Sequence, residues 1–141
     1  MLVNKVYLFA NVAIYAGVAA AFLAAPKPLG EAIGLRFEST AALADFRAMY
    51  GGLCLGAAIS IAKGMRDAAW ERSAILLAIT SAAGLFLSRV LTLATVGPAN
   101  AFAYASMASE VLAVAAGLFV YGRATEVLAE DGRSSGAEVH A

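Results

Sequence analysis

The stretch "DFRAMYGGLCLGAAIS", residues 45–60, decides how this chain is read. It opens with Asp45 and Arg47, then runs almost wholly apolar, with glycine at 51, 52 and 56. Such a segment suits the hydrocarbon of a bilayer, where backbone amides find no water and a helix satisfies them locally. The run from about Ala44 to Ala62, closed by Lys63-Gly64, approaches the roughly 20 residues that cross about 30 Å of hydrocarbon.

Working outward, other segments read the same way. One runs from about Val6 to Ala25 and is stopped by Pro26 and Pro28. Another starts near Arg72-Ser73 and ends at about Val96, before Gly97-Pro98. The last runs from about Ala101 to Tyr121, with Gly122-Arg123 closing it. The expected fold is all-α, a four-transmembrane-helix bundle over residues 1–123. A polar cytoplasmic tail, 124–141, is expected to stay helical to about Ala129 and to be irregular beyond. The first span resembles a signal peptide in its small residues, but its apolar stretch is long and carries Asn11 and Tyr15 at helical spacing. It is read as a retained helix.

Composition agrees. The 141 residues are 62% hydrophobic and 14% charged, and the length suits a single domain. A soluble domain has about 45–50% apolar residues and about a quarter charged. Lys+Arg and Asp+Glu balance at 10 each, so no net field recruits nucleic acid. Cys54 and His140 are the sole cysteine and histidine, which excludes a disulfide framework and most metal sites, and no cofactor is expected. No nucleophile triad, HExxH, phosphate loop or dinucleotide fingerprint occurs, so no catalytic residue is assigned.

Basic residues set the expected orientation. Lys5, then Lys63, Arg66 and Arg72, then Arg123 and Arg133 mark one side, against Lys27 and Arg36 on the other. Both termini are expected in the cytoplasm, with Trp70 and Tyr121 as interface anchors. In the first outer loop, Leu29, Ile33 and Phe37 recur at fours, which predicts a short interfacial helix.

Ionisable residues inside spans are costly and normally face a partner in the bundle. Arg47 lies in the first outer turns of its span. Arg89 precedes its span's outer end by about two turns, and Glu110 lies about 13 Å in at 1.5 Å per residue. One carboxylate between two guanidinium groups is the expected arrangement. Helical spacing puts Arg47, Tyr50 and Cys54 on one side, with Gly51 beside them. It makes Ser81, Gly84, Ser88, Thr92 and Thr95 a second stripe, and Ala103, Ser106, Glu110, Ala113 and Gly117 a third. Tyr7, Asn11, Tyr15, Val18 and Phe22 form a fourth. These seams are expected to face inward, and Asn11 to bond across a helix interface. Gly52 and Gly56 form G-x-x-x-G beside Gly51, which implies close helix packing in this region.

The elements "DFRAMYGGLCLG", "SRVLTLATVG" and "SEVLAVAAG" resemble the bacterial membrane family of unknown function four-three-four-five, across most of the chain. That resemblance implies a four-helix integral membrane protein. It carries over Arg47, Tyr50, Gly51, Gly52, Gly56, Arg89 and Glu110 as motif positions. Ser88 stands where the family usually has glycine before the third-span arginine. More distantly, the layout is similar to DoxX-like membrane proteins, without the paired cysteines of mercury-transport relatives.

Two readings of the charged cluster stand side by side. It is a structural ion-pair network that organises the bundle, or a pocket, formed by Arg47, Tyr50, Arg89 and Glu110, for a small anionic or lipidic ligand. Two arginines against one glutamate tilt the pocket toward an anion. The expected location is a bacterial inner membrane, with lipids as partners and a homo-oligomer through small-residue faces. The alternatives are a small transporter, or transporter subunit, acting as an oligomer, and an enzyme acting on a lipid substrate.

Overall fold

A computed structural model describes residues 2–138, with side chains through Arg123. Among the described residues every regular element is helical. Helix α1 spans Leu2–Ala24, and α2 is a short helix, Pro26–Ala32. Helix α3, Thr40–Arg47, continues through a π-helical turn, Ala48–Gly52, into α4, Leu53–Arg66. Helix α5 spans Ala68–Thr95 and α6 spans Ala101–Glu138. Four stretches are long and apolar enough to cross a membrane: Leu2–Ala24, Thr40–Arg66, Ala68–Thr95 and Ala101–Arg123. The fold is the expected four-span helical bundle.

The helix ends follow local chemistry. Ser39 Oγ accepts from Ala42 N at 3.1 Å, Asp67 Oδ1 from Ala69 N at 3.0 Å, and Asn100 Oδ1 from Ala103 N at 3.0 Å. Each satisfies an amide that the first helical turn leaves open. Pro26 stands at the start of α2, where its missing N–H is not needed. At the other end of α2, Leu35 N bonds Gly30 O at 2.9 Å and Gly34 N bonds Glu31 O at 3.0 Å, with Gly34 at φ +89°. That left-handed turn stops α2 before Phe37, so the helix expected through Leu29, Ile33 and Phe37 is shorter than its periodicity implied. Phe37 instead folds back onto Phe46, with ring centroids 5.0 Å apart. Helix α6 runs past Ala129 to Glu138, through good helix formers such as Glu126, Leu128 and Ala129.

Helix α1 packs on α4, α4 on α5 and α5 on α6, with lighter closure between α1 and α6. The buried apolar core gathers at the end that carries the termini. Tyr7 and Leu8 of α1, Ile61 of α4, Ala74, Ile75, Ala78 and Ile79 of α5, and Val120 of α6 form one cluster. Glycine admits the close approaches there: Gly64 lies against Ala74, and Gly117 lies beneath Tyr7 and Ile79. The Tyr7 hydroxyl donates to Ala113 O at 3.2 Å, tying α1 to α6. Asn11 does not cross an interface as expected. Its amide donates to Tyr7 O at 2.9 Å, one turn back on its own helix.

Candidate functional site

Above this core, toward the opposite end, the spans contribute polar groups to one layer. Arg89 of α5 and Glu110 of α6 form an ion pair, Nη1 to Oε1 at 2.8 Å. The pair exists because the α5–α6 connection is short: Gly97, at φ +121°, ends α5 and Asn100 caps α6, so the two helices return antiparallel. Their side chains are 28% and 9% exposed, respectively. Tyr15 of α1 faces Ser81 of α5, within electrostatic reach of Cys54 of α4 and of Glu110.

Glu110 Oε1 is satisfied by Arg89, but Oε2 is buried without any hydrogen-bond partner. A buried carboxylate with an open acceptor is uncommon, since nearly all buried polar atoms are paired. The neighbouring hydroxyls are already used. Ser106 Oγ donates to Phe102 O at 2.9 Å, Ser109 Oγ to Ser106 O at 2.7 Å, and Ser88 Oγ to Gly84 O at 2.8 Å.

The expectation that two guanidinium groups flank Glu110 holds for Arg89 and not for Arg47. Arg47 is exposed, and among the described residues it has no ion-pair or hydrogen-bond partner. The π-helical turn explains the miss. It follows Arg47 directly and inserts a wider turn, so the inward positions on either side of it are Phe46 and Gly51, five residues apart. Spacing by 3.6 residues put Arg47 and Tyr50 on the interior face, and the wide turn moves them off it. Tyr50 joins an aromatic group instead, with ring centroids 5.0 Å from Phe22 and 4.7 Å from Phe46.

The three glycines also divide. Gly51 is buried against Leu23. Gly52 and Gly56 point outward, with nothing within 4 Å of where a Cβ would stand, so their G-x-x-x-G spacing is not used within the chain. The hydroxyl stripe on α5 is likewise exposed, apart from half-buried Ser81. Thr92 donates to Ser88 O at 2.9 Å and Thr95 to Leu91 O at 2.8 Å. A hydroxyl bonded to its own helix carbonyl has no need of a partner helix, so this stripe faces outward. The α1 and α6 seams do face inward, at Tyr7, Asn11, Glu110 and Gly117.

The family described as "Domain of unknown function (DUF4345)" matches residues 3–121. The chain belongs to this family. No curated protein and no solved structure matches it. The DUF4345 match takes in the ion pair and every residue of the polar layer around it. The sequence offers Tyr15 as a hydroxyl able to bond into the charged network, and reads Cys54 and Ser81 only as packing and stripe residues, since spacing along one helix does not show which residues meet across helices. Among the described residues, no group of three or more His, Cys, Asp or Glu stands close enough to hold a metal ion. Two open surface depressions lie along the α2–α3 segment, lined by residues such as Lys27, Glu31, Phe37 and Leu43, and neither includes Arg47, Arg89 or Glu110.

Proposed function

We propose that this is a non-enzymatic protein of a bacterial inner membrane, with both termini in the cytoplasm. In this reading the Arg89–Glu110 layer fixes helix order and takes up a small lipidic ligand. The observation that carries the reading is Glu110 Oε2, a buried acceptor with no partner beside one that is paired. A purely structural ion pair would gain by satisfying both oxygens. Glu110 already matches the charge of Arg89, and Arg47 is elsewhere, so the surplus positive charge that favoured an anion is gone. The geometry favours the lipidic form.

Orientation has its own support. Lys5, Lys63, Arg66, Arg72 and Arg123 all lie at the end that carries the termini. Several are seated on aromatic rings: Lys63 Nζ lies 4.2 Å from the Trp70 ring centre, and the Arg72 guanidinium 4.8 Å from that of Tyr121. Basic residues and amphipathic aromatics at one end match a cytoplasmic membrane surface. The outward Gly52 and Gly56 favour a second copy as a partner within the membrane.

Native mass spectrometry of protein released from membranes in mild detergent tests this reading. The wild type is expected to carry a lipid adduct that the Glu110→Gln variant lacks. Wild-type protein that leaves the membrane bare overturns it. Substrate-dependent flux in liposomes would favour a transporter, and turnover of a lipid extract an enzyme.

A further inference from the structure

We propose that Glu110 Oε2 is the acceptor for the hydroxyl of an uncharged lipid, seated at the polar layer in the half of the bundle away from the termini. The proposal rests on the reading above that this layer holds a lipidic molecule, and it names the headgroup. Oε2 has no partner although its side chain is more than nine-tenths buried, at 9% exposure. A carboxylate only accepts hydrogen bonds, so what is missing is a donor. The chain's own nearby hydroxyls on α5 and α6, those of Ser88, Ser106 and Ser109, already donate to backbone carbonyls. None of these serines is free to close Oε2, and the proposed donor comes from outside the chain.

Charge narrows its chemistry. Arg89 and Glu110 cancel, so the layer is neutral overall. A phosphate or carboxylate would place negative charge beside Oε2 and compete with Glu110 for Arg89. An ammonium would face Arg89 and give up its own hydration in hydrocarbon. A hydroxyl closes the open acceptor without adding charge. Its acyl chains would lie along the outward faces beside the pair, where Gly84, just over one turn before Arg89 on α5, has nothing within 4 Å of where a Cβ would stand and Leu85 and Leu112 are exposed.

The test uses the full chain in phosphatidylcholine nanodiscs titrated with dioleoylglycerol, trioleoylglycerol or dioleoylphosphatidic acid, read by thermal unfolding. Dioleoylglycerol is expected to raise the melting temperature of the wild type, and trioleoylglycerol, which lacks the hydroxyl, is not. Glu110→Gln keeps a carbonyl for Arg89 but replaces the open acceptor with a donor. It should bind dioleoylglycerol about tenfold more weakly or worse, as expected for a hydrogen bond to a charged group. An equal response to both glycerides, or an unchanged response in Glu110→Gln, overturns the proposal. A response to phosphatidic acid alone also overturns it, while leaving a lipidic site in place. Failure of every lipid, together with wild-type protein bare in mass spectrometry, overturns both readings. Should Glu110→Gln not fold, isotope-edited infrared spectra of the wild type decide. The Glu110 carboxylate band is expected to shift with dioleoylglycerol and not with trioleoylglycerol, and a band unmoved by both overturns the proposal.

Discussion

The two halves of the bundle are built differently. At the end that carries the termini, Leu8, Ile61 and Ile75 are fully buried, and small residues such as Gly64, Ala74, Ala78 and Gly117 let the helices close on them. In the other half, Leu85, Leu87, Leu91 and Val96 are exposed, and the buried positions include Phe46, Gly51 and the charged Glu110. One half is held by shape and the other by an ion pair and an aromatic cluster. In lipid, apolar side chains gain little by leaving hydrocarbon for a protein core, so association depends on close van der Waals contact and polar bonds. The half with small residues obtains the first, and the half with Arg89 and Glu110 relies on the second. That division places an unfilled polar acceptor in the half that holds the ion pair.

The sharpest way to break this comparison is Arg89→Ala. It strands the Glu110 carboxylate in an apolar setting and should destabilise the protein by about 3–5 kcal/mol. Adding Glu110→Leu should recover most of the loss, measured by unfolding in detergent or bicelles. If Arg89→Ala is silent, the ion pair does not hold the open half. Ile75→Ala should cost about 2–5 kcal/mol by opening a cavity in the packed half. Leu91→Ala, exposed in the other half, should stay within about 0.5 kcal/mol, and equal effects at the two sites would erase the distinction.

Smaller effects sharpen the picture. A methyl group at Gly117 meets Tyr7 and Ile79, so Gly117→Ala should cost about 1–3 kcal/mol by overpacking. Gly56→Ala meets open space and should leave monomer stability unchanged, and a change in its dimer fraction by crosslinking would assign that face to a second copy. Least of all, Arg47→Ala should alter stability by no more than about 0.5 kcal/mol, because Arg47 has no partner among the described residues. A loss comparable to that of Arg89→Ala would return Arg47 to the ion-pair layer.

Much of the fold was legible in residue order. The proline, glycine and charge stops at Pro26, Lys63-Gly64 and Gly97-Pro98 mark span ends, and Ser39, Asp67 and Asn100 are the residue types that cap helices. The contact between Arg89 and Glu110 was also foreseeable, since both sit at similar depth in consecutive antiparallel spans. Arg47 was misread because a π-helical turn leaves no signature in a 3.6-residue wheel. The serine and threonine stripe of α5 was misread because a back-bonded hydroxyl tolerates lipid as well as it tolerates a neighbour. Asn11 misled for the same reason, its amide being satisfied one turn back.

Residue order was enough to give four helices long and apolar enough to cross a membrane, and the stops between them, though not the end of the short α2 or the reach of α6 to Glu138. Those outcomes depend on local quantities: the transfer of each side chain to hydrocarbon and the capping of a few amides. Tertiary contacts were needed to fix the inward faces of the second and third spans, to leave Arg47 out of the pair, and to leave one Glu110 oxygen open. In lipid both faces of a helix are apolar, so hydropathy carries little record of its rotation. That rotation is set by interhelical contacts and by one wide turn beside Arg47.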